Sequence, residues 1–92
     1  MNELELARKE ISRIDAEMAK LFEERMHQCE SVAAYKKEHG LSVRDSAREA
    51  ELIERSRTLI ESKEIESYYV RFLRSTIDLS CKYQSKLLGG MK

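Results

Sequence analysis

Apolar residues recur along the first part of the chain at a heptad spacing that predicts one long helix. Leu4, Ile11, Met18, Arg25 and Val32 occupy one seam position, and Ala7, Ile14, Leu21, Gln28 and Tyr35 the other, with Phe22 and Cys29 beside them. No glycine or proline interrupts the run, and Gly40 supplies a stop. The helix is predicted from Glu3 to about Glu38, roughly 36 residues and about 54 Å at 1.5 Å per residue. A second is predicted from about Ala47 to Ser62. Ser46-x-x-Glu49 reads as a capping box, and Leu52, Ile53, Ser56, Leu59 and Ile60 form a stripe at helical spacing. A third is predicted from about Ile65 to Leu88. Ile65, Tyr69, Phe72, Leu73, Thr76, Ile77, Ser80, Gln84, Leu87 and Leu88 share one face, and Gly89-Gly90 ends it. The expected fold class is all-α, three helices per chain, in one domain spanning residues 1–92.

The first helix is too long for a compact body. A 92-residue globule has a radius of gyration near 12 Å, hence a diameter of roughly 32 Å. The apolar seam runs along nearly the whole helix, so the protruding part exposes a face that water disfavours. A second copy removes the problem if two long helices pack together. A homodimer is therefore expected on physical grounds.

Composition narrows the classes. Charged residues make up 37%, aromatics 7%, and there is no proline, which suits long helices. Seventeen Lys and Arg balance seventeen Asp and Glu, so the basic excess of a nonspecific nucleic-acid binder is missing. No stretch approaches the ~20 apolar residues of a membrane span. The N-terminus is too polar for a secretory signal. Cys29 and Cys81 lack metal-ligand spacing and fit a reducing cytoplasm better than a disulfide scaffold. His27 and His39 read as surface or core-edge residues.

The candidate chemistry lies where polar groups break apolar stripes. Arg25 sits in the seam of the first helix. Lys36 follows eleven residues later, three turns on and within about 20° of the same face. Ser80 and Gln84 lie four apart, among Ile77, Leu87 and Leu88. Each has an ordinary explanation: Arg25 pairing with a buried Glu, Lys36 as a solvated charge at a helix C-terminus, Ser80 and Gln84 facing water. Glu49 is explained by the capping box, and Asp45 and Arg48 by the start of a helix. Together they call for a polar cavity richer in cations than carboxylates, suited to a small anion. Arg8 lies 17 residues from Arg25, about 25 Å along one helix. Only a second, antiparallel copy brings the two onto one small molecule; a solvated charge near a helix end is the simpler reading.

The set Arg8, Arg25, Lys36, Asp45, Arg48, Glu49, Ser80 and Gln84 resembles the active site of all-helical chorismate mutases of the bacterial AroQ type. The strings that carry it are ARKEISRID, EERMHQCESVAAYKKEHG, VRDSAREAEL and DLSCKYQ, and the spacing of the eight positions spans nearly the whole chain. The resemblance implies an intertwined helical homodimer, the two chains interlocked, with two equivalent sites and no metal or organic cofactor. It implies that Arg25, with Arg8 of the second copy, holds the two carboxylates of chorismate. Lys36 and Gln84 would donate to the ether oxygen, and Glu49 would accept from the ring hydroxyl. Arg48 and Ser80 would add contacts at the hydroxyl and carboxylate regions, and Asp45 would fix the hydroxyl side.

The implied reaction is a pericyclic rearrangement of chorismate to prephenate. One C–O bond breaks as one C–C bond forms, with no nucleophile, proton transfer or electron carrier. It asks only for orientation of a flexible dianion and for donors aimed at an ether oxygen that gains negative charge. Two rivals share the features: an isochorismate-pyruvate lyase on the same fold, and a non-catalytic helical dimerisation or regulatory module. The second predicts that Arg25, Ser80 and Gln84 are satisfied internally, with no cavity.

Overall fold

The structure, a computed structural model, describes residues 1–89. The described residues form three α-helices and no strand: α1 (Glu3–His39), α2 (Ser46–Arg57) and α3 (Lys63–Leu87). Asn2 caps α1, its side chain accepting from the Glu5 N–H at 2.9 Å. Gly40, left-handed at φ 64°, ends the helix. The Leu41 N–H reaches the Lys36 carbonyl at 2.8 Å and the Gly40 N–H the Lys37 carbonyl at 3.4 Å. This is a Schellman motif, which satisfies two carbonyls that the last turn would otherwise leave open.

The second helix departs from the sequence reading at both ends. Its N-cap is Asp45, whose carboxylate accepts from the Arg48 N–H at 3.0 Å. The expected capping box on Ser46 is not formed, and Glu49 turns to Arg44 instead. The helix stops at Arg57 rather than Ser62. The Thr58 hydroxyl donates to the Arg55 carbonyl at 2.7 Å, and the Leu59 and Ile60 N–H groups make i→i+3 turn bonds to Ser56 and Arg57. These local bonds consume the carbonyls a further helical turn would need. Leu59 is consequently exposed rather than part of the buried stripe. α3 ends at Leu87, with Gly89 at φ 107°; Gly90, the second half of the expected stop, lies outside the described residues.

α3 is the spine, with α1 and α2 both packed on it. Leu73, Ile77 and Cys81 of α3 form the core with Val43 of the α1–α2 loop, and Leu52, Ile53, Tyr69 and Leu88 pack against them. Cys29 and Ala33 are the buried positions of α1. Of the expected α3 face, Leu73, Thr76, Ile77, Ser80 and Gln84 are buried, while Ile65, Phe72 and Leu87 remain exposed.

The molecule is elongated, 55 × 25 × 17 Å, with a radius of gyration of 16.4 Å. Every residue before Arg25 is exposed. Leu4, Ile11 and Leu21 are 56, 55 and 62% exposed on the seam that should be covered. Met18, Leu21 and Phe22 face Ile65, Tyr68 and Phe72 across an apolar groove of about 570 Å³. The chain exposes 7426 Å², roughly 1,900 Å² more than a compact monomer of this mass. That excess is on the scale of what one partner buries in an obligate interface.

Candidate active site

The site forms where the C-terminal half of α1 meets α3 and the α1–α2 loop. Arg25 and Lys36 are about 16 Å apart along α1, whereas Ser80 and Gln84 are only about 6 Å apart along α3. The two long cationic side chains therefore converge on one turn of α3. Arg25 Nη1 donates to Ser80 Oγ. Lys36 Nζ donates to Gln84 Oε1 at 3.0 Å and to the Val43 carbonyl at 2.5 Å. Ser80 and Gln84 are both buried, and Ser80 Oγ also bonds back to the Thr76 carbonyl at 2.9 Å.

These groups enclose a cavity of about 180 Å³, below the range usual for complete small-molecule sites. Arg25 and Lys36 of α1, Ser80 and Gln84 of α3, and Asp45, Arg48 and Glu49 at the start of α2 line it. Leu52, Ile77 and the thiols of Cys29 and Cys81 supply apolar wall. The structure thus gathers seven of the eight predicted positions around one space. It does not bring Arg8 there: that side chain is exposed on the protruding half of α1.

The ordinary explanations meet a mixed outcome. Arg25 does not pair with a buried glutamate; its partner is a hydroxyl. Lys36 does not spread into solvent at the helix end but turns inward onto a carbonyl and an amide. Among the described residues neither cation has a carboxylate within ion-pair distance. Asp45 is occupied as the α2 cap. Internal pairing of Arg25, Ser80 and Gln84 does occur, yet the cavity beside them remains.

Arg44 reaches the site through Glu49 and was not singled out from the sequence. Its Nη1 lies 3.0 Å from Glu49 Oε1, and its Nη2 bonds Asp78 Oδ1. The hydrogen bond that Arg44 donates to Asp78 raises the Arg44 pKa, and the same bond, with help from Lys82, holds Asp78 below the usual carboxylate range. Burial pushes the Cys81 thiol up. The only hint was an arginine next to the capping Asp45; its partner on α3 is 34 positions away. Among the described residues no group of three or more His, Cys, Asp or Glu is arranged to hold a metal ion. No described helix is long and apolar enough to cross a membrane.

Residues 7–85 match the family described as Chorismate mutase type II. The chain belongs to that family. All eight positions of the sequence reading fall within the matched span. Comparison with curated proteins and with solved structures gives no match. The family's type of substrate, an enolpyruvyl dianion, is the kind of ligand that unpaired cations around a small cavity would accept.

Proposed function

We propose that this chain is a chorismate mutase that converts chorismate to prephenate for phenylalanine and tyrosine biosynthesis. The observation that carries the reading is the placement of Arg25 and Lys36. Both line one cavity with Gln84, and neither is neutralised by a carboxylate. A half-buried cation without a counter-charge is costly, and a bound dianion supplies what the fold withholds.

Arg25 suits a substrate carboxylate because its planar fork binds two oxygens. Lys36 is a compact charge with three donors, of which two are engaged. The third is free for the ether oxygen, beside the amide of Gln84. Glu49 accepts from the ring hydroxyl, with Arg48 and Ser80 at its flanks and Asp45 fixing the start of α2. The reaction needs the substrate folded into a chair-like shape and its ether oxygen stabilised as the C–O bond breaks. Preorganised donors in a water-poor site supply both.

One chain does not bring Arg8, the expected second carboxylate anchor, to the cavity, and α1 carries an uncovered apolar seam. Both are met by an antiparallel second copy whose α1 covers the groove and brings its Arg8 over the cavity. Two equivalent sites result, each with Arg25 from one chain and Arg8 from the other. Two free, buried thiols suit a reducing cytoplasm. The test is to incubate the purified protein with chorismate and follow its absorbance. A fall as prephenate appears supports the reading. Turnover of isochorismate alone points to the lyase, and turnover of neither points to a non-catalytic module.

A further inference from the structure

Glu49 is the one carboxylate of the cavity that is not part of a helix cap, and it sits among three cations: Arg25, Lys36 and Arg48. Left to itself, an anion in that position is drawn onto the cavity cations and neutralises the charges that a dianionic substrate needs. The structure shows a different arrangement. Glu49 Oε1 is taken by Arg44 at 3.0 Å, and Oε2 lies 3.9 Å from the sulfur of Cys81, which also lines the cavity. Arg44 in turn is anchored on α3 through Asp78, whose other oxygen lies 3.6 Å from Lys82. The guanidinium spans α2 and α3, using two nitrogens for two carboxylates, a geometry that lysine cannot reproduce. The neighbouring Val43 is buried, and its carbonyl holds Lys36. Two adjacent residues of one loop thus set two of the polar groups that line the cavity.

We propose that Arg44 is a positioning residue. It holds the Glu49 carboxylate back from Arg25 and Lys36 and presents its second oxygen to the substrate's ring hydroxyl. The proposal rests on the reading of the cavity as a chorismate site. Arg44 contacts no reacting atom; it acts through Glu49. Asp78 serves the same end one step removed, by fixing the guanidinium.

The test is a double-mutant cycle on the full chain with chorismate as substrate. Arg44→Met should lower kcat/KM by about 10- to 100-fold, the scale of a misplaced group about 1 Å out of position. In a Glu49→Gln background the same change should cost less than about threefold, because the two substitutions act through one group. Arg44→Lys should retain part of the activity lost in Arg44→Met, since it keeps the charge but not the fork. Equal losses from Arg44→Met in both backgrounds would overturn the proposal. Asp78→Asn is the milder variant should Arg44→Met fail to fold. It too should lower kcat/KM only while Glu49 is present, and a loss independent of Glu49 counts against the proposal. If the wild-type protein turns over no chorismate, the functional reading fails separately. The crystal structure of Arg44→Met or Asp78→Asn then decides: a displaced Glu49 carboxylate supports the positioning role, and an unmoved one ends it.

Discussion

Replacing Lys36 by methionine removes the charge and all three donors while keeping an unbranched chain of similar length. Nζ now serves Val43 O at 2.5 Å and Gln84 Oε1 at 3.0 Å, and Gln84 is buried. A buried acceptor that loses its donor costs about 1–3 kcal/mol. Water entering the cavity can serve one of the two, and removing a half-buried charge returns part of the rest. The net loss should be near the cost of one acceptor, about 1–3 kcal/mol, a fall in Tm of roughly 4–24 °C for a domain of this size. The catalytic loss should be larger. One oxyanion donor is worth about 10²–10³ in kcat, and a charged donor belongs at the upper end. Circular dichroism and analytical ultracentrifugation establish that the variant is folded and associated; chorismate absorbance gives kcat. A folded Lys36→Met protein with kcat within about threefold of wild type would refute the role given to Lys36, because no donor of that strength would then be missing.

Three further outcomes are expected. Gly40→Ala should destabilise by about 1 kcal/mol net, seen as a lower thermal midpoint with normal kcat. A Cβ there meets nothing within 4 Å, so the cost is the left-handed backbone alone, partly offset in the unfolded chain. Ile14→Glu, on the exposed seam, should give a monomer by ultracentrifugation and abolish turnover without touching the cavity; a stable, active dimer would contradict the proposed interface. Tyr83→Phe should weaken stability at neutral pH but not in acid. The Tyr83 hydroxyl, 2.6 Å from Glu30 Oε2, and then His27 hold Glu30 below its ordinary value of 4.5. That contribution is full above pH 4.5 and fades as pH falls through the lower folded value. Denaturant midpoints of the two proteins should converge once the pH lies below the lowered Glu30 value, and a gap that is constant with pH would exclude the linkage.

The length of α1 was legible because nothing between Glu3 and His39 breaks a helix and Gly40 ends it in the one conformation glycine supplies cheaply. Arg25, Lys36, Ser80 and Gln84 were legible as polar residues on apolar faces, and the structure places them around one cavity. The end of α2 was not legible, because it depends on turn bonds at Thr58 rather than on glycine or proline. Asp45 and Ser46 are adjacent and equally fit to cap. The choice falls to Asp45 in a loop anchored on either side of Arg44, by Lys36 on the Val43 carbonyl and by Asp78 on Arg44 itself. Arg44 was not singled out at all, since its role arises only once α3 brings Asp78 beside it. Arg8 could not be placed by one chain at all, being about 25 Å from Arg25 along a rigid helix.

The measurement that bears most directly on the shared site is complementation between two inactive proteins. Arg8→Ala and Arg25→Ala homodimers should each be nearly inactive toward chorismate. Mixed under conditions of subunit exchange, half of the dimers carry one chain of each kind, and each of these holds one intact site of two. Activity should return to about a quarter of wild type. Mixed dimers demonstrated by mass spectrometry, yet no more active than either parent, would contradict a site built from two chains.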